Sequence, residues 1–259
     1  MAIIALKAWY IKQYEPIKQI IQQPFALRLS RNSLLKTGLR ADFLDDRLEV
    51  EGSDWFQLYL SGQTVEFYIQ GSGTYIVSNI DLVSQEIYFT KCTSISSLEP
   101  TIYYSPQTHH PAANEAITQA LTTIVADLAT RSRIPLTLAV TPSTPGTPLR
   151  LSNSQLSKIG KSLLLIADVT PIKSMTKSIG KGEQSELLID SKVCVELGYG
   201  MQTKDHGQIL LLSQERPDLK GIMPFDMAGY KQLSFTDGKQ LDKSLPKLIN
   251  TLLQRYSLF

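Results

Sequence analysis

Several residues able to bind or react stand immediately after short apolar runs. Asp168 closes the run Leu163 to Ala167, Thr170 follows it by two positions, and Ser105 and Gln107 come just after Thr101 to Tyr104. A carboxylate at a strand end can bind a sugar hydroxyl, or it can cap the following turn through the backbone. Ser105 and Gln107 can donate hydrogen bonds to a phosphate or a base, and residues of this kind also form turns. Glu196 lies early in an amphipathic segment, where a helix dipole favours a carboxylate. Tyr199, one turn later, can stack on a base or pack half-buried. Asp226, after Pro224-Phe225, has the same two uses as Asp168. Lys173, Lys177 and Lys181 with two glycines describe a mildly basic loop that could cover phosphates, or a solvated mixed-charge loop beside Glu183, Glu186 and Asp190. His109-His110 lack a third ligand at metal-binding spacing, so no metal site is expected. Neither Gly71-Ser72-Gly73 nor Gly180-Lys181-Gly182 has the strand-glycine-helix context of a phosphate loop.

The elements that must position these groups change character near residue 99. Before it, an apolar stretch reaches Trp9-Tyr10, a short helix starts at Glu15-Pro16, and Leu27 to Leu44 has no resolvable period. Val65, Phe67 and Ile69 then alternate with polar neighbours, and Tyr75 to Leu82 and Glu86 to Lys91 return after a glycine turn, predicting an antiparallel meander. Residues 1–98 are therefore expected to form a small α+β domain. Beyond it, strands at Thr101 to Ser105, Leu136 to Val140, Leu163 to Ala167, Ile209 to Leu212 and Gln232 to Phe235 alternate with helices. Ala113, Ile117, Leu121, Ile124 and Leu128 make one helical stripe. Ser152 can cap a second helix, another is expected over about Ser191 to Met201, and Leu241, Leu245, Leu248 and Leu252 mark the last. Such alternation predicts a parallel sheet with helices on both faces over 99–259. Ligands of such sheets bind beyond the carboxyl ends of the strands where strand order reverses, which singles out Ser105, Gln107, Thr141 to Gly146, Asp168, Thr170 and Pro224 to Asp226.

Composition narrows the function classes. In 259 residues, 42% are hydrophobic and 19% charged, as in an ordinary globular protein. Lys and Arg number 26 against 24 acidic residues, so the basic footprint of a nucleic-acid binder is missing. Residues 1–99 hold 9 basic and 11 acidic side chains, and 100–259 hold 17 and 13, so an anionic small ligand suits the second part. Two cysteines cannot form a metal quartet, no apolar run spans a bilayer, and the first residues show no secretory pattern. A reducing cytoplasm is the expected compartment.

The run Leu165-Ile166-Ala167-Asp168-Val169-Thr170-Pro171, then Val193-Cys194-Val195-Glu196-Leu197-Gly198-Tyr199-Gly200, then Pro224-Phe225-Asp226, is similar to the TIR-like predicted nucleotide-binding family, distantly related to the nucleoside 2-deoxyribosyltransferases. Tyr103-Tyr104-Ser105-Pro106-Gln107 resembles that family's first strand, so the resemblance covers roughly 100–256. It implies a flavodoxin-like or TIR-like sheet. Glu196 is implied to be the catalytic carboxylate beside the ribose of a scissile N-glycosidic bond. Ser105, Gln107, Asp168, Thr170, Tyr199 and Asp226 are implied to line the nucleotide. NAD or a related nucleotide is then the substrate or ligand, with no separate cofactor. Self-assembly and a role in bacterial defence or signalling also follow from the resemblance. The chemistry is coherent, because cleaving such a bond builds positive charge on the sugar carbon that a nearby carboxylate stabilises or captures as an ester.

Two segments depart from the family pattern. Asp190-Ser191-Lys192-Val193 stands where the family has Asn-Pro-Asn-Val, and Thr141-Pro142-Ser143-Thr144-Pro145-Gly146 replaces an Asp-Arg-Asp-Thr segment that could pair a catalytic carboxylate. A nucleotide sensor or self-assembling module of the same fold, without turnover, is the alternative.

Overall fold

The computed structural model describes residues 5–34, 38–92, 95–142, 152–179 and 182–259. The chain divides into two compact units, Met1–Leu98 and Glu99–Phe259.

The first unit is built on strands β1 (Ala5–Tyr10), β2 (Leu27–Leu34), β3 (Gly38–Phe43), β4 (Glu66–Ile69), β5 (Gly73–Asp81) and β6 (Glu86–Lys91), with short helices α1 (Ile17–Ile20), α2 (Arg47–Glu51) and α3 (Asp54–Leu60). The expected meander is present as β4-β5-β6, but it is part of a closed antiparallel barrel in the order β1-β2-β3-β6-β5-β4, with β1 pairing both β2 and β4. Closure leaves no strand edge to protect. Alternating Leu27, Leu29, Leu39, Ala41, Phe43, Phe67, Ile69 and Phe89 fill the interior. Trp55 of α3 joins them, its ring edge-on to Phe67 at 5.0 Å. The stretch from Leu27 to Leu44 has no clean period because the β2–β3 register shifts between Arg31 and Ser33, which breaks the two-residue alternation.

The second unit carries β7 (Glu99–Ser105), α4 (Pro111–Arg131), β8 (Thr137–Val140), α5 (Asn153–Lys161), β9 (Ser162–Asp168), β10 (Lys173–Ile179), β11 (Gly182–Leu188), α6 (Ser191–Thr203), β12 (Ile209–Gln214), β13 (Lys231–Phe235) and α7 (Gly238–Leu253). Five strands form one parallel sheet in the order β13-β12-β9-β7-β8. Counted along the sheet's own strands this is 2-1-3-4-5, the flavodoxin-like order. Right-handed crossovers dictate where the helices go. The step from β7 to β8 runs one way and the step from β8 to β9 runs back, so α4 and α5 lie on opposite faces. Accordingly α4 packs with α7, and α5 packs with α6. The predicted α4 stripe of Ala113, Ile117, Leu121, Ile124 and Leu128 is buried throughout.

One expectation is corrected. The polar segment after Asp168, read as a basic cover loop, contains the two-stranded antiparallel hairpin β10–β11. Its sequence is polar at successive positions, so neither strand shows the alternation that marks a half-buried strand. Gly180, Lys181 and the side chain of Lys177 lie outside the described residues. Among the described residues no helix is long and apolar enough to cross a membrane.

Helix α6 carries the main candidate residue and is seated by two contacts. Gly200 lies against the sheet so closely that an added Cβ would sit 2.3 Å from Leu165 Cδ2. At the helix end, buried Lys204 donates to the carbonyl oxygens of Ser162 and Gly160, satisfying the close of α5. Burial lowers that ammonium to about 8. Leu165 is fully buried and cannot swing aside. Gly200→Ala is therefore expected to cost about 1–3 kcal/mol, because overpacking outweighs the gain in helix propensity. Urea unfolding followed by circular dichroism measures it.

Candidate functional site

Strand order reverses between β7 and β9, and their carboxyl ends carry Ser105 and Asp168. Neighbouring chains diverge there because the β7 crossover leaves toward β8 while the β9 connection leaves the other way, the position at which open sheets of this order bind ligands. Alternation sends these two side chains to opposite faces. Ser105 follows Tyr103 toward α6, and Asp168 follows Leu164 and Ile166 toward α4, where its charge acts on Tyr104. The next strand end, after Val140 of β8, presents Thr141.

Glu196 reaches this rim from α6. The helix begins at Asp190, whose Oδ1 accepts from Lys192 N at 2.9 Å and whose Oδ2 accepts from Thr108 N and Oγ1 at 3.2 and 3.3 Å. One N-cap thus ties the start of α6 to the loop after β7. His109 Nε2 lies 3.7 Å from the same carboxylate. Val193, Leu197 and Gly200 form the buried stripe that presses α6 on the sheet, and Glu196 falls inside it, without exposed surface. Thr141 Oγ1 donates to Glu196 Oε2 at 2.7 Å and lies 3.0 Å from the Tyr103 hydroxyl. Burial raises the Glu196 carboxyl above its ordinary value, opposed by the Ser105 and Thr141 hydroxyls and the Lys192 charge. Ser105 lies near enough to act on that carboxyl, but not in a hydrogen bond of ordinary geometry.

Four buried polar atoms at this rim have no hydrogen-bond partner: Ser105 Oγ, Asp168 Oδ2, Lys192 Nζ and Glu196 Oε1. Leaving such a group unbonded costs about 1–3 kcal/mol, and native proteins rarely tolerate it without a reason. They comprise two carboxylate acceptors, one hydroxyl and one ammonium, with Asp168 on the α4 face of the sheet end and the other three on the α6 face. Groups of these kinds can bond the hydroxyls and anionic oxygens of a sugar phosphate. Among the described residues no group of three or more His, Cys, Asp or Glu is arranged to hold a metal.

The residues read from the sequence fare differently. Glu196, Ser105, Asp168 and Thr170 are fully buried near the reversal. Thr170 is engaged structurally, its N–H donating to Asp168 Oδ1 and its Oγ1 accepting from Gln214 N. Gln107 is likewise occupied, because its Oε1 accepts from the N–H groups of His109 and His110 and shapes the turn into α4. Tyr199 is not brought to the rim. Its hydroxyl would stand 3.6 Å from a Cβ on Gly160 at the end of α5, toward the opposite edge of the sheet. Asp226 is exposed and accepts from Ala228 N in a local turn. The histidine pair is split, with His110 Nδ1 accepting from Ala113 N as the α4 N-cap.

Lys192 and Tyr103 join the site although their sequence context gives them no site role. The four-residue spacing of Lys192 and Glu196, which aligns them on one helix face, was the available signal. The replaced segment supplies its own partner for the carboxylate through Thr141, whereas Ser143 to Gly146 lie outside the described residues. The chain matches no family model, and comparison with curated proteins found no match.

Burial raises Asp168 from 3.8 to about 6, helped by the nearby Asp190 charge and opposed by hydrogen bonds from Thr170. A carboxyl that holds its proton more tightly folded than unfolded favours the native state at low pH. The advantage is lost as pH rises from about 4 through about 6. At about 1.4 kcal/mol per pH unit the ionised group costs roughly 3 kcal/mol above that window. Asp168→Asn removes the charge but leaves a buried amide in its place, so a gain of about 1–2 kcal/mol is expected at pH 7.5. The gain should shrink to near zero by pH 4 in thermal melts across that range, and a pH-independent difference would contradict it.

Proposed function

We propose that residues 99–259 bind a nucleotide at the β7–β9 crevice and cleave its N-glycosidic bond, with Glu196 as the carboxylate at the ribose. The observation that carries this reading is the set of four unpartnered buried polar atoms at the strand-order reversal. In it, Asp168 Oδ2 and Glu196 Oε1 accept from ribose hydroxyls, Ser105 Oγ bonds a sugar or phosphate oxygen, and Lys192 Nζ supplies the positive charge for an anionic group. As the bond breaks, positive charge grows on the anomeric carbon and the Glu196 carboxylate stabilises it. Thr141 fixes the carboxylate through Oε2, leaving Oε1 for the substrate. Water then takes the position of the departed base and loses a proton to the medium or to a carboxylate.

Electron balance favours a substrate whose leaving group is already cationic. The nicotinamide ring of NAD departs neutral with the bond pair and needs no proton donor, whereas a neutral purine must be protonated as it leaves. NAD is accordingly the substrate assigned first. A second reading, a sensor that binds without turnover, is favoured by one observation. Glu196, Asp168 and Ser105 have no exposed surface, so a ligand reaches them only by shifting what covers them.

The expected outcome is nicotinamide release from NAD by the purified chain, reduced at least about 100-fold in Glu196→Gln, the scale on which a single electrostatic group acts. Chromatography of the products, with a melting shift on the same samples, checks it. Absence of release with a nucleotide-dependent melting shift that Asp168→Ala weakens would select the sensor, and absence of both would overturn the site.

A further inference from the structure

Strand β13 is an edge of the parallel sheet. β12 pairs with one side of it, and among the described residues no strand pairs with the other. Phe235 O accepts from Glu215 N on the β12 side. Alternation along the strand therefore turns the N–H and C=O groups of Gln232 and Ser234 to the open side, a template for one more strand. Both residues are exposed. Helix α7 packs beside this edge, and along it runs a shallow groove of about 420 Å³. Leu233 of β13 and Leu248 of α7 give the groove apolar wall, Ser244 and Thr251 bring hydroxyls, and Lys243 and Lys247 bring charge.

Charge decides what this edge takes. Leu241, Leu245, Ile249 and Leu252 form the buried stripe that seats α7, which leaves Lys243 and Lys247 exposed one turn apart. Neither ammonium has a hydrogen-bond or ion-pair partner among the described residues, and Asp242, the one acid of α7, is not in the lining. Four helical residues rise about 6 Å, and alternate side chains of a strand stand about 6.6 Å apart. The two lysines therefore match carboxylates two positions apart on an added strand. A second copy of the chain is a poor occupant. Two-fold pairing of β13 with itself would set Lys231, Lys243 and Lys247 against the same three lysines, and like charges so opposed are destabilising. The charge that deters self-pairing favours an anionic strand.

We infer that the β13 edge is a docking site for an extended acidic segment of another protein, which adds to the five-stranded sheet as a further strand. Its backbone bonds the outward groups of Gln232 and Ser234, carboxylates at alternate positions meet Lys243 and Lys247, and an apolar side chain lies against Leu233 and Leu248. This surface does not depend on the chemistry assigned to Glu196.

The test uses the full isotope-labelled chain and a capped nine-residue peptide in which Thr alternates with Val, Glu, Glu and Val. The peptide is expected to shift the backbone amide signals of Gln232 and Ser234 saturably and to slow their hydrogen exchange at least about 10-fold. Lys in place of Glu in the peptide, or Lys243→Glu with Lys247→Glu in the chain, should each weaken binding at least about 10-fold, and the two reversals together should restore it. Of two peptides N-methylated either at every Thr or at the other residues, one should lose binding and the other keep it, because only alternate N–H groups face the edge. Absence of a saturable shift, indifference to the charge reversals, or retention by both methylated peptides would overturn the proposal. So would shifts of the same amides with chain concentration alone, which would make a second copy the occupant. Equal shifts with polyphosphate would also overturn it, by assigning the lysines to a phosphate polymer.

Discussion

The handedness of strand crossovers governs the arrangement of the second unit. Once β7 is followed by α4 to one side and β9 is reached by passing back across β7, the sheet must part at its carboxyl edge between those two strands. Side-chain alternation then distributes the strand-end groups, with Ser105 under α6 and Asp168 under α4. The polar groups there are buried because helices press on both faces of the sheet. Carboxylates in such a position cost stability, as the upward displacement of Asp168 to about 6 records.

Helix α6 converts that topology into a specific geometry. Its entry is held by Asp190, its seating by Gly200 against Leu165, and its exit by Lys204 on the carbonyls that end α5. With both ends anchored, Glu196 is held buried at the end of the sheet, where Thr141 donates to one carboxylate oxygen. The connection from β12 to β13 departs from that helical pattern. Where the β12–β13 connection forms no helix, the space a helix would occupy is roofed by a hairpin and lined by methionines. The barrel of the first unit follows a different rule, in which closure of six antiparallel strands removes every free edge and the interior alternation fills the core.

Much of this was legible in the sequence, and the illegible parts have identifiable causes. The strands and amphipathic helices of 99–259 stood out because two-face burial makes strands such as Leu163 to Ala167 continuously apolar, while one-face burial makes α4 periodic. β2 and β3 were hidden by a register shift, and β10 and β11 by polarity on both sides. Tyr199 and Gln107 have the right residue types near the right motifs, yet Tyr199 packs toward the other edge and Gln107 is consumed by the turn into α4. Lys192 stands in a segment that departs from the family pattern, so no motif in the sequence marks it as a partner of Glu196.

The sequence by itself determined the parallel strands and the helices of the second unit and the placement of carboxyl and hydroxyl groups at the ends of those strands, because burial pattern and turn chemistry are local. Only the tertiary structure decided which of those groups meet. Strand order, barrel closure and the pairing of Thr141 with Glu196, 55 residues apart, depend on contacts between segments distant in the chain, which no local pattern encodes.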